Sequence, residues 1–266
     1  MTTTLKPGIS TGGARRGRAE RKPLPQYSLA QILGVWAGAA LPMAALAWLG
    51  VPLLAAAIQG PAAWPQAILI ALTTGLIWQF ALVLILVHRE QGALRWSVLK
   101  DALWLRAPQS PKTGRTGGLL WLLVIPLVFL VYARELLPKL PTPAGRDLGD
   151  FLQSPVGQEF FSGNWTWFAL TLVMFLFNTV LGEELLFRGL LLPRMQGVFG
   201  RHDWLANGVL FSLYHLHVPW AIPGTLVDVF IMSWPSRRYQ SALLGIVAHS
   251  SQSIVLGVLL LLLVLQ

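Results

Sequence analysis

Long apolar runs, separated by short basic or proline-marked breaks, dominate this chain. From residue 29 to 58 the one polar interruption is Gln31, and Pro42 and Pro52 mark expected kinks. A second run covers 64–87, and a third covers 117–133 and closes at Arg134 and Glu135. A fourth extends from Trp165 through Phe177 to Leu192. Two shorter pieces, 204–218 and 220–234, are broken by Pro219 and Pro223; the last run, 241–265, is almost entirely Leu, Val, Ile and small residues. A bilayer core about 30 Å thick is crossed by about 20 apolar residues of helix. The pattern therefore predicts an all-α polytopic membrane bundle of about seven to eight transmembrane helices. Short proline-broken pieces are sustainable at membrane depth only where protein or a water-filled cavity covers their backbone.

Composition agrees with this. Hydrophobic residues make up 55% of the 266 and charged ones only 12%, with a mean hydropathy of +0.60; soluble domains carry about 25% charge. The absence of cysteine excludes disulfides, thiolate nucleophiles and Cys-ligated metal. The net charge of +9 lies between apolar runs rather than on one soluble basic face, which argues against nucleic acid. Residues 1–28 read as a disordered basic cytosolic arm, and 88–116, 193–203 and 235–240 as further basic segments. The 134–163 loop mixes both signs. The positive-inside bias places the N-terminus and the basic loops in the cytoplasm, and an integral protein of a bacterial plasma membrane is expected. The segment 91–106 reads as an interfacial amphipathic helix within an N-terminal transmembrane part, 29–160.

Ionisable residues inside such spans are functional candidates by default. Here they are Glu183, Glu184, Arg188, His215, His217, Asp228 and His249. At 1.5 Å per residue, Glu183, His215 and His249 lie about 13, 16 and 12 Å from the cytoplasmic ends of their helices, one level on three helices. Glu184 and Arg188 form an i, i+4 pair with the acid first. Glu183 points about 100° away around the helix, so it is a candidate general base toward water. Phe211 with His215, and His249 with Ser253, each share a helix face. A carboxylate and two imidazoles around a water can hydrolyse an amide, directly or through a metal. Asp228 is expected to pair with Arg237 or Arg238 or to cap a helix break, and His217 to be interfacial. Zincin, nucleophile-elbow and Walker motifs are missing.

The order E-E-x-x-x-R (Glu183 to Arg188), F-x-x-x-H (Phe211 to His215) and a later histidine, His249, resembles the CPBP family of intramembrane endopeptidases, the CAAX-protease and bacteriocin-processing group. The resemblance covers roughly 165–255, within a core of 161–266. It implies a cytosol-facing site in which Glu183 activates water with His215 and His249 steadies the oxyanion. Glu184, Arg188 and Phe211 support it. It implies a membrane-associated peptide or protein substrate, of prenylated CAAX type among others, and anionic lipids at the cytosolic rim. No cofactor is required by a glutamate mechanism; a divalent metal such as zinc, if used, would sit on Glu183, His215 and His249. The chain departs from the family at its last motif. Ser253 stands where the pattern has Asn, with Gln252 as the neighbouring amide, and Val229 and Ser233 replace glycines. Two other readings stay open: a non-catalytic scaffold or bacteriocin-immunity protein that binds a membrane partner, and a transporter using the Glu/His cluster as a proton relay.

Overall fold

The computed structural model describes residues 24–137, 140–143, 146 and 148–266. Most of the predicted basic arm, residues 1–23, lies outside them. The described residues are helical, without a named strand; one isolated antiparallel bridge joins Gln109 and Thr116. Five helices are long and apolar enough to cross a membrane: α1 (Leu29–Ile58), α2 (Ala63–Gln91), α3 (Gly118–Leu136), α4 (Trp165–Arg194) and, at the C-terminal end, Ala242–Val264. The expected count of seven to eight spans is not confirmed, and the difference lies in the 204–234 region. There the chain forms α5 (Asp203–Tyr214), then short turns around Pro219 and Pro223 and a brief helix, Trp234–Arg238. None of these pieces is long enough to span alone. The proline breaks that shorten them leave Ala242–Val264 as α6.

Local signals explain the ends. Ser28 and Gln31 form a reciprocal capping box that starts α1. Gly92, at φ 74°, ends α2, so the expected amphipathic stretch 91–106 contracts to the short helix Trp96–Ala102, closed by Trp104 at φ 50°. Trp96 is exposed while Ala102, Leu103 and Trp104 are buried. The kink in α1 takes the form of a π-helical segment, Leu46–Gly50, four residues after Pro42. Two more occur in α4, at Phe177–Gly182 and Leu185–Leu191, and they flank Glu183 and Glu184. Such widened turns hold an extra residue and recur at functional sites.

In a bilayer the helices gain little from the hydrophobic effect against one another; close packing and interhelical hydrogen bonds hold them. Indole N–H groups supply several here. Trp36 donates to the Leu210 carbonyl and Trp48 to that of Leu216, both at 2.8 Å, tying α1 to the end of α5. Trp78 donates to the Gly38 carbonyl, also at 2.8 Å, joining α2 to α1. Asn207 links α5 to α4 through the Phe187 carbonyl (2.8 Å) and accepts from Ser233 (3.0 Å). The residues that stand in for glycine are thus absorbed: Ser233 by that bond, and Val229 by packing on Gly208. α3 is peripheral, with Leu119, Ile125 and Phe129 exposed.

A charged knot closes the end of the bundle where α1 begins and α2 and α4 end. Arg194, fully buried, binds Glu90 (2.6 Å) and donates to the carbonyls of Ala102 and Leu190. Tyr27 donates to the same carboxylate, and its backbone N–H donates to the Arg194 carbonyl. Gln26 bonds the Pro193 carbonyl and the Gly197 N–H. Residues 24–28, expected within the disordered arm, are therefore docked. Burial, and then the Glu90 carboxylate, hold the Tyr27 phenol well above its ordinary range.

Candidate active site

Three helices bring the predicted residues together. Glu183 and Glu184 lie between the two π-helical segments of α4, His215 ends α5, and His249 sits two turns into α6. Glu183, Glu184, Arg188 and His249 are all buried. A charge placed there must be paired or put to use.

Glu184 is the hub. Its Oε1 lies 3.1 Å from Arg188 Nη1 and 3.1 Å from His249 Nδ1. The His249 Nδ1–H therefore faces a carboxylate, and Nε2 is left for other work. Arg188 also stacks its guanidinium over the Phe211 ring, 4.0 Å from the centroid. Phe211 meets both imidazoles edge-on, His215 at 5.0 Å and His249 at 6.3 Å. It is a plate against which the cation and the two histidines are arranged.

His215 holds its own tautomer. Its Nδ1 donates to the Phe211 carbonyl at 2.9 Å, one turn back, so Nε2 carries a lone pair. His217, expected at the interface, is buried and stacks on His215 at 5.5 Å. Glu183 takes no part in the Glu184 cluster's hydrogen bonds. Its partner is the hydroxyl of Tyr214, and His249, Glu184 and Arg188 lie within electrostatic reach. The adjacent acids thus have different partners, as their 100° offset demands.

Room for this cluster comes from Gly245, one turn before His249. A Cβ there would lie 2.5 Å from Glu184 Oε2 and 3.2 Å from Ser236 Oγ. Only a bare backbone lets α6 pass the carboxylate.

The C-terminal part of the motif goes elsewhere. Gln252 accepts from Arg134 (2.9 Å) and donates to Glu135 (3.2 Å), at the end of α3. Ser253 lines an outer groove with Phe168, Leu172, Thr179 and Ile254, which none of Glu183, His215 and His249 lines. Asp228 corrects another expectation. It pairs with Arg134, not Arg237 or Arg238, because α3 lays the arginine across it; Arg237 instead binds Asp203 at 2.5 Å. Tyr214, Gln79 and Gly245 were not singled out in the sequence. Gln79 carried a signal, an amide inside an apolar span, whereas Tyr214 and Gly245 read as packing.

Among the described residues no group of three or more His, Asp or Glu side chains is placed to hold a metal ion. Glu183, His215 and His249 do not fit the zinc set named for them, and no step below passes through a metal.

No curated protein and no solved structure matches the chain. Its C-terminal third does match: residues 164–255, which hold every residue of the Glu184 cluster, fit the family model described as type II CAAX prenyl endopeptidase, Rce1-like.

Proposed function

We propose that the protein is an intramembrane endopeptidase that hydrolyses a peptide bond in a membrane-associated protein, with Glu183 as the base. One observation carries this reading: at a meeting of three helices the Glu183 carboxylate, with the Tyr214 hydroxyl as partner, lies within electrostatic reach of His249, and Phe211 joins His249 to a second oriented imidazole, His215. Glu183 takes a proton from water while His215 Nε2 accepts a hydrogen bond from the O–H that the water keeps. The hydroxide attacks the scissile carbonyl carbon. His249 turns Nε2 toward the oxyanion as a hydrogen-bond donor while Glu184 anchors Nδ1. Glu183 then passes its proton to the leaving nitrogen as the C–N bond breaks. These groups need no cofactor for the steps.

Prenylated CAAX-type proteins are the substrate class that the domain match favours. The basic loops support an N-terminus on the cytoplasmic side of a bacterial plasma membrane. An open cavity lined by Arg201, Arg237, Arg238, Trp204 and Trp234 would lie on that side and suits anionic head groups. The pieces between α5 and α6 would lie at membrane depth without spanning, as parts of the seven to eight helical segments that the sequence suggests. A second reading, a non-catalytic scaffold or immunity protein, is favoured by Ser253 and Gln252, since neither offers an amide to the centre.

The test compares protein N-termini across the proteome in membranes of cells expressing wild type or Glu183→Gln. Termini that appear only with wild type support the protease. Identical termini at equal expression refute it and leave the scaffold.

A further inference from the structure

α2 lies outside the stretch that matches the family, yet one of its side chains reaches Tyr214, the partner of Glu183. Gln79 is fully buried in the middle of this 29-residue apolar helix. Its Nε2 donates to the Tyr214 hydroxyl at 2.6 Å. The approach is prepared one turn earlier, where the α2 backbone presses on α4: a Cβ on Gly182 would sit 3.2 Å from the Leu76 carbonyl oxygen. Gly182 immediately precedes Glu183, and Gln79 follows Leu76 by three residues, on the same helix face. The contact therefore sets the amide in register with the acids.

The bond has a direction. A phenol oxygen that accepts from Gln79 sends its own proton elsewhere, and the other partner of Tyr214 is Glu183. Gln79 Oε1 is buried and has no partner among the described residues. A residue that keeps a lone acceptor in such surroundings is costly as packing alone. We infer that Gln79 and Tyr214 are a positioning pair: Gln79 orients the Tyr214 hydroxyl, and that hydroxyl holds the Glu183 carboxylate where it meets the water. The inference rests on the reading of Glu183 as base, and it makes the N-terminal helices part of the site rather than only its scaffold.

Infrared difference spectra of the full-length protein, wild type against Glu183→Gln, isolate the Glu183 carboxylate band. Tyr214→Phe should shift that band, and Gln79→Met should shift it in the same direction. Gln79→Met on top of Tyr214→Phe should add nothing. If Gln79→Met leaves the band in place, or moves it equally in both backgrounds, the pair is overturned; Gln79→Leu replaces the Met variant if that one does not fold. The second readout is cleavage of a farnesylated, internally quenched CAAX peptide. There both single variants should lower kcat about tenfold or more with KM unchanged. A wild type that does not cleave this peptide counts against the protease reading, and the infrared result still decides the pair.

Discussion

His249 Nδ1 lies 3.1 Å from Glu184 Oε1, the same oxygen that Arg188 approaches at 3.1 Å. One carboxylate oxygen thus sets the orientation of an imidazole on α6 and neutralises an arginine one turn along its own helix. The second acid of the pair organises this cluster, while the first has the Tyr214 hydroxyl as its partner.

The Glu184–Arg188 pair is fully buried on both sides. Removing one partner strands a charge, which costs about 3–5 kcal/mol, whereas replacing both with apolar groups is close to neutral. Arg188→Leu should therefore be strongly destabilised, and Glu184→Leu/Arg188→Leu should regain most of the loss while remaining inactive. Unfolding temperatures of the purified variants check the first part and peptide cleavage the second.

Gly245→Ala would drive a methyl group to 2.5 Å from Glu184 Oε2. Overpacking of this kind costs about 1–3 kcal/mol, but the larger effect falls on His249, whose anchor must move. Cleavage should drop by more than the loss of stability explains. Activity and unfolding measured on one preparation separate the two.

Tyr27 predicts an alkaline weakness. Its folded phenol is held above the ordinary value of about 10 by burial and the Glu90 bond. The neutral form is favoured only in the fold, so its contribution is fully present below pH ~10 and lost as pH rises beyond it. Unfolding temperature should fall more steeply above pH ~10 in wild type than in Tyr27→Phe. Parallel curves would contradict this.

Ser253→Asn restores the residue type of the family pattern, yet position 253 opens on the outer groove beside Thr179 and Val180. The substitution should leave kcat on the CAAX peptide unchanged. A gain would mean that the α6 helix turns toward the centre when substrate binds.

The long spans were legible because each is an unbroken apolar run, and Glu183, Glu184, Arg188, His215 and His249 because charge inside such runs has few innocent explanations. Asp228 was legible as a buried acid but not in its partner, since Arg134 is 94 residues away and reads as the end of a span. Gln79 and Gly245 were hidden for a related reason. A lone amide or a missing Cβ acquires meaning only from the helix packed against it. The region between α5 and α6 was legible as apolar but not in its helix lengths, because hydropathy measures solubility in lipid, while its prolines decide where each helix breaks.

The acids stand between two widened turns, Phe177–Gly182 and Leu185–Leu191. Each turn stores one residue that a regular helix would not accommodate. Deleting one residue from the first would return that turn to regular helix and keep Glu183 and Glu184 in register with Tyr214 and His249, whereas deleting one from the regular stretch before it, Trp165–Leu176, would swing both acids by about 100°. In this chain the two acids stand at a flaw in the helical lattice. The flaw is a buffer: a single-codon deletion inside it is absorbed where it falls, whereas the same deletion one turn earlier carries both acids away from their partners at once.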